Sequence, residues 1–396
     1  MMDSTFRQQS RSETVGREKE QRLLRQLLFA VEQQGGSNHE VDGLMTYIVP
    51  HGIFLTGDAG IGKTRLAHVI SREAKSRRWS VIWNRGNAQE SNTAYQLWVN
   101  VLQTAFTQDI WQPQEMGQQH YLSPSFRNLL PDLTDLLPPN ASHSTLEQVP
   151  LHIWESIRTA LIFISEKTPL LIALDDIHRA DIQSYDCLGY LLSHLNGFPL
   201  FIIGTYRKHE VTSSHPLSSI VVQLQRQHAI ETLHLHPLTT GQIEALISST
   251  PDMPPLTNPR LQQILADAAG NPFFAKELTW SQTSTLPRTI ATFFDSLLGE
   301  LSNECQQLLR NASVLGDSFE LPVICLMTYE RSIVADDDPL LDALDEALRH
   351  GILVESGSRN HITYHFRYPL LIKHLYKKIP IARRIRLHKR AVEALR

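Results

Sequence analysis

Apolar residues fall along this chain in two distinct patterns. Five short runs, near residues 52–56, 80–84, 170–175, 200–205 and 230–235, suit strands. The run at 170–175 (LLIALD) has no polar residue before its last position, which fits a strand buried on both faces of a parallel sheet. Elsewhere the apolar residues recur every three or four positions. Residues 15–31 (VGREKEQRLLRQLLFAV) place Leu23, Leu24, Leu27 and Leu28 on one face and predict an amphipathic helix. The same spacing predicts helices over 63–74, 95–106, 126–137 and 146–166. The last three form a helical excursion across 86–168, interrupted by Pro113, Pro124, Pro131, Pro138 and Pro139. Residues 1–14 read as a mobile tail and 32–44 as a loop.

After Pro237 the pattern changes. Thr239 is positioned to cap a helix running through Ile247. A proline-rich joint follows at 251–259. A helix over 259–269 meets a stop at Gly270, and Asn271-Pro272 opens another over 273–280. Further on, helices are expected over 289–298, 303–315 and 339–350. Two alternating runs, 352–355 and 361–366, flank the turn residues Gly357-Ser358 and predict a β-hairpin packed on helices, the winged-helix arrangement. Helices over 370–377 and 381–395 complete the pattern. The expected organisation is a tail (1–14), an α/β domain with a parallel sheet (15–237), a small all-α domain (238–285), a winged-helix domain (286–380) and the start of a further helical segment (381–396).

Chemistry enters between the first strand and the first core helix. Residues 57–64 read GDAGIGKT, the full pattern G-x-x-x-x-G-K-[ST]. Gly57, Gly60 and Gly62 let the backbone curl so that successive N–H groups face phosphate oxygens. Lys63 sets an ammonium against the β- and γ-phosphates, and the Thr64 hydroxyl is a candidate Mg²⁺ ligand. The following helix aims its positive end at the same place. A chance glycine-rich turn would lack this strand–loop–helix context. The run LLIALDD ends in Asp175 and Asp176, carboxylates at the edge where open α/β sheets bind ligands. Asp175 is a candidate Mg²⁺ ligand, directly or through water, and Asp176 the group that orients or deprotonates the attacking water. On their own the two would also read as turn aspartates. Arg207 follows the strand PLFIIGTY and could sense the γ-phosphate, although this segment alone reads first as a surface arginine after a core strand.

Composition narrows the class. The chain has 396 residues, 42% hydrophobic and 20% charged, in the range of soluble multidomain proteins. No apolar run approaches the roughly 18–20 residues of a membrane span. Its three cysteines, Cys187, Cys305 and Cys325, form no C-x-x-C pair, which argues against a disulfide framework or zinc and fits a reducing cytoplasm. The net charge of −4 is unevenly spread. Residues 359–396 hold eleven Lys or Arg and one acid, Glu393, leaving 26 basic and 40 acidic residues elsewhere. A basic end could meet nucleic acid or an acidic partner, but a solvated helix face is the simpler reading.

Several segments together resemble one family: VGREKEQRLLRQLL, GDAGIGKTRL, LLIALDDIHRAD, FIIGTYRKHEV, LHLHPLTTGQIEALI, AAGNPFFAKEL, LPRTIATFFDSLL and the terminal FRYPLL…RLHKRAVEALR. The chain is similar to the STAND class of P-loop ATPases in the AAA+ superfamily, in the branch found in large LuxR-type bacterial transcriptional regulators. The resemblance implies a slow ATP-hydrolysing signalling switch using ATP/ADP and Mg²⁺, with a protein partner or self-association on activation. It implies that Val15, Gly16 and Arg17 line the adenine pocket. Gly57, Asp58, Ala59, Gly60, Ile61, Gly62, Lys63 and Thr64, with the adjacent Arg65, hold the phosphates. Asp175 and Asp176 are the acidic strand end, Arg207 the sensor, and Pro272 packs on the base. One departure stands out: where the family often has histidine in F-R-H-P-L, this chain has Tyr368, which cannot carry positive charge at pH 7. His365 is a neighbouring alternative. The rival reading is an origin-recognition or loader type of AAA+ protein that engages DNA through the winged helix. The candidate recognition helix at 340–350 disfavours it, because Asp342, Asp345 and Glu346 suit a phosphate-lined groove poorly.

Overall fold

The computed structural model describes residues 15–34, 49–87, 89, 92–117, 122–137, 149–250, 256–281, 285–328, 338–358 and 361–395. The expected tail at 1–14, most of the loop at 32–44, Pro138, Pro139 and most of the joint at 251–259 lie outside the described residues. The chain divides into two compact units, Arg17–His236 and Pro237–Arg396, with Val15 and Gly16 folding with the latter.

The unit Arg17–His236 runs α1 (Glu18–Gln34), β1 (Gly52–Gly57), α2 (Lys63–Ser76), β2 (Ser80–Arg85), α3 (Gln96–Thr107), α4 (Pro124–Leu129), α5 (Val149–Lys167), β3 (Leu170–Asp175), α6 (Ile182–Ser193), β4 (Leu200–Tyr206), α7 (Pro216–Arg226) and β5 (Ile230–Leu235). The strands form one sheet in the order β2-β3-β4-β1-β5, with every pair parallel. β1, β3 and β4 are buried at every position, as their unbroken apolar runs require. Their side chains alternate between two cores. Ile53, Leu55, Leu171, Phe201 and Ile203 join α1 and α2 on one face. Phe54, Leu170, Ile172, Leu200 and Ile202 join α3 to α7 on the other.

Two expectations are corrected here. The first helix begins at Glu18, after a turn at Val15–Gly16. The single helix expected over 126–137 is two pieces, α4 and a 3-10 turn Pro131–Leu136, because Pro131 cannot continue the α-helical ladder. Helices α6 and α7 were absent from the expected elements.

The second unit opens with α8 (Thr240–Ser249), α9 (Asn258–Ala268) and α10 (Pro272–Trp280). Thr239 and Gln242 cap α8 reciprocally, with Gln242 N–H donating to Thr239 Oγ1 (3.3 Å) and Thr239 N–H to Gln242 Oε1 (2.9 Å). Asn271 Oδ1 accepts from the Phe273 and Phe274 amides and starts α10. Then come α11 (Arg288–Gly299), α12 (Asn303–Ala312), β6 (Ser318–Glu320), α13 (Leu321–Thr328), α14 (Asp338–Arg349), β7 (Leu353–Ser358), β8 (His361–Phe366), α15 (Pro369–Lys378) and α16 (Ile381–Ala394). β6, β8 and β7 form an antiparallel sheet in that order. The hairpin is longer than expected, since Gly357 and Ser358 pair with Ile362 and His361 instead of turning. β6 and α13 were absent from the expected elements. The expected helix over 303–315 stops at Ala312.

Candidate nucleotide-binding site

Strand β1 delivers Gly57 to the sheet edge at a φ of 139°, and a Cβ there would lie 2.7 Å from the Leu235 carbonyl oxygen. Gly62, at φ 103°, closes the loop and begins α2 with no side-chain cap, so the first N–H groups of the helix remain for an anion. Between them Asp58, Ala59, Gly60 and Ile61 form the loop. Ala59 and Ile61 are buried, and the Ile61 amide bonds the Asp58 carbonyl at 3.3 Å. Arg65 is half-buried in the first turn of α2.

Lys63 is folded back onto this loop. Its Nζ donates to the carbonyls of Gly57 and Asp58, each at 2.9 Å. Burial lowers its pKa most, and the Arg207 charge lowers it further. Asp176, Asp58 and Asp175 resist, and the result is about 8. A buried ammonium held only by carbonyls, beside an uncapped helix start, is a donor set that fits phosphate oxygens.

Strand β3 brings the acidic pair to the same edge. Asp175 is 4% exposed, and its Oδ1 accepts from Thr64 Oγ1 at 2.8 Å and from Thr205 Oγ1 at 2.7 Å. Thr64 and Asp175, 111 residues apart, thus present two oxygens to one point, the donor set that suits a divalent cation. Asp176 has a left-handed backbone (φ 50°), and its amide donates to Thr205 Oγ1 at 2.9 Å. Its carboxylate is held by Arg85, at 3.1 Å from Nε and 2.6 Å from Nη2. Burial opposes ionisation of Asp176, but the Arg85 hydrogen bonds and the charges of His178, Arg85 and Arg207 outweigh it and keep the carboxyl below its ordinary range.

Arg207 follows β4, and Nη1 donates to Glu210 Oε1 at 2.7 Å. Glu210 also meets His178 Nε2 at 2.9 Å. Burial alone would raise the Glu210 carboxyl. The His178 hydrogen bond, the charge that ring carries when protonated, Arg207 and Arg179 reverse this and bring it down to about 2. The ion cluster therefore adds stability that is fully present above the ordinary Glu value of 4.5 and is lost as pH falls toward 2. Acid titration of Glu210→Gln, followed by circular dichroism, should show less stability loss between pH 4.5 and 2.5 than the parent chain. An unchanged acid limb would mean the cluster does not form in solution.

Arg17 is 7% exposed and staples the loop from the side, with Nη2 donating to the carbonyls of Ile61 (3.2 Å) and His236 (2.7 Å). Val15, Gly16 and Pro272 fold with the other unit. There the Gly16 carbonyl accepts from Gln242 Nε2 (3.3 Å), Val15 lies against the apolar core, and Pro272 is the first residue of α10. Tyr368 is 6% exposed, its ring edge-on to Phe274 at 5.7 Å in an aromatic cluster with Phe293 and Phe294. His365 is tied to Ser356 Oγ at 2.6 Å. Arg85, Thr205, His178 and Glu210 are site neighbours that the sequence reading missed. The available signal was the polar end of each apolar strand, SVIWNR and LFIIGTYR.

Among the described residues no helix is long and apolar enough to cross a membrane. Residues 13–203 match the AAA ATPase domain family. A curated relative, an uncharacterized protein of Rhizobium meliloti (strain 1021), is 22% identical over 377 residues, covering 87% of this chain and 34% of that protein. The chain thus spans about a third of the length of the curated relative it matches. Among solved structures, a signal transduction ATPase with numerous domains (STAND) and a tetratricopeptide repeat sensor, from Pyrococcus horikoshii, is 16% identical over 90% of this chain and 46% of that one, with a TM-score of 0.35. Cdc6p from Pyrobaculum aerophilum is 13% identical over 100% of this chain and 99% of that one, with a TM-score of 0.41. The phosphate loop and the strand-end aspartates both fall within the segment, residues 13–203, that matches the AAA ATPase domain family.

Proposed function

We propose that the chain is an ATP-driven switch module, the regulatory ATPase part of a bacterial transcriptional or signalling regulator of the STAND class. The observation that carries this reading is the meeting of Thr64, Asp175 and Thr205 beside the buried Lys63. The loop amides and Lys63 bind the β- and γ-phosphates, and Arg207 senses the γ-phosphate. Mg²⁺, held through Thr64 and Asp175, supplies neutralisation of charge on the phosphate oxygens. Asp176 accepts a proton from water as the water oxygen bonds the γ-phosphorus and the bond to the β–γ bridging oxygen breaks, releasing ADP. Because Arg85 holds the Asp176 carboxylate, the base works only after that pair loosens. A helical lid over 238–285 and a winged-helix domain over 286–380 respond to nucleotide, and Pro272 in the lid packs on the base. The basis is the segment resemblance, together with the helices α8–α10 and the three-stranded sheet among helices.

A switch needs a long-lived state. Steady-state turnover of the purified chain should lie below about 0.1 s⁻¹, under the ~1–10³ s⁻¹ of typical enzymes. A rate inside the typical range would sink the switch reading while leaving the ATPase assignment intact.

DNA engagement is the second reading. It draws on α16, where Arg383, Arg386 and Lys389 are exposed. Against it, α14 buries Leu340, Leu344 and Ala347 and leaves Asp342 and Asp345 at the surface. Gel shift with random duplex at about 50 mM salt, where phosphate contacts are strongest, should show no tight complex. Tight binding that falls steeply with added salt would favour the DNA reading.

A further inference from the structure

We propose that Glu210 is a positioning residue that makes Arg207 respond to the γ-phosphate, as the middle member of a relay Arg207–Glu210–His178–His215 that ends at the start of α7. The proposal rests on the reading of Arg207 as the γ-phosphate sensor and deepens it.

Glu210 is bidentate between two different reporters. One carboxylate oxygen holds Arg207 at 2.7 Å, and the other meets His178 at 2.9 Å. The Glu210 side chain is 20% exposed and that of His178 only 2%, so the pair is shielded from salt and water more than a surface ion pair. His178 lies two residues after Asp176, in the 3-10 turn Ile177–Arg179. The turn that follows the candidate base is therefore tied to the same carboxylate as the sensor.

The relay continues through the backbone. The His178 carbonyl accepts from His215 Nε2 at 3.1 Å, and His215 Nδ1 accepts from the Leu217 amide at 3.1 Å, capping α7. Those two bonds together require the neutral Nε2–H tautomer, and burial, the largest influence on the ring, keeps its pKa low. One hydrogen-bonded path thus joins Arg207, the turn after Asp176 and the first turn of a surface helix.

A γ-phosphate and the Glu210 carboxylate are rival anions for one guanidinium. With a triphosphate bound, Arg207 transfers to the phosphate, and Glu210 keeps His178 and two more distant neighbours, Arg179 Nη2 at 3.9 Å and His209 Nε2 at 4.0 Å. With a diphosphate bound, Arg207 returns to Glu210. Glu210 thus opposes triphosphate binding, without touching nucleotide, and leaves diphosphate binding alone.

The test is a ratio. In Glu210→Gln the charge is lost and the shape kept, so affinity for a fluorescent ATP analogue should rise roughly tenfold, the order expected for releasing a charged hydrogen bond. Affinity for the matching ADP analogue should stay unchanged, and Glu210→Asp should return the ratio toward the parent value. A purely structural role would weaken both nucleotides together. Circular dichroism confirms folding, and if Glu210→Gln does not fold, Glu210→Asp is read alone, with a partial rise in the ratio expected. An Arg207→Ala background separates the two readings. There Glu210→Gln should have no further effect on the ratio. If Arg207→Ala itself leaves the ratio unchanged, the sensor reading fails and the relay with it. If Arg207→Ala shifts the ratio but folded Glu210 variants do not, or if they shift it equally in both backgrounds, the positioning role of Glu210 is overturned while the sensor stands.

Discussion

Asp176→Asn is expected to bind ATP as the parent chain does and to hydrolyse it roughly a hundredfold more slowly or worse, the range lost with a general base. The amide fits the same left-handed backbone position, which Asn tolerates as well as Asp, so the turn should survive. What disappears is the carboxylate that Arg85 holds 2.6 Å away and that surrounding cations keep ionised. Arg85→Ala should behave in the opposite way, freeing the carboxylate without removing it. Steady-state hydrolysis and equilibrium ATP binding, measured side by side, separate the two. Undiminished turnover in Asp176→Asn would make Asp176 a structural partner of Arg85 and place the base elsewhere.

Lys63→Ala should weaken ATP binding about tenfold or more, through loss of a charge-assisted contact worth roughly 1.5–3 kcal/mol. A second signature is sharper. In the free protein Lys63 titrates near 8, below its ordinary 10.5, because burial disfavours its charge. Phosphates restore that charge, so binding below pH 8 should take up almost no proton and binding above it up to one proton. Apparent affinity should therefore fall by up to about tenfold per unit as pH rises above 8, and Lys63→Ala should abolish the slope. Calorimetry in two buffers of different ionisation enthalpy, at pH 7 and pH 9, measures the uptake. Identical uptake in parent and variant would mean Lys63 does not face the phosphates.

The sheet and the loop were legible because their signals are local. A doubly buried strand must be apolar along its length, and β3 announces itself as LLIAL before the site residue Asp175. GDAGIGKT carries its glycines where positive φ occurs, and Thr239 with Gln242 spells a helix start. Gly270, expected to stop a helix, sits at φ 76° just past α9. What stayed hidden was pairing across distance. Arg85 meets Asp176 from a strand 91 residues earlier, and Thr205 joins Asp175 from 30 residues later. Nothing in either segment names its partner; only the strand order brings them together. The broken helix at Pro131 was a competition between apolar spacing and a missing amide, which the amide won. The resemblance placed Arg17 in the segment that lines the adenine pocket, but its bonds to the carbonyls of Ile61 and His236 could not be read from that segment alone.

The strand order also sets a timetable for synthesis. β1 pairs only with β4 and β5, so Gly52 waits for Ile202 and Ile230. The second of these lies 178 residues later in the chain. At about 5–20 residues per second, the phosphate loop leaves the ribosome roughly ten to thirty-five seconds before its outer neighbour strand exists. The nucleotide site is then among the last things the unit Arg17–His236 can complete, and until it does the nascent chain carries an apolar strand with at least one open edge. A fragment ended at residue 203, where the family match stops, would keep the phosphate loop and the Asp175–Asp176 pair but lose Thr205, Arg207, β5 and the carbonyl of His236 that anchors Arg17. For expression of this unit alone, the cut belongs after His236.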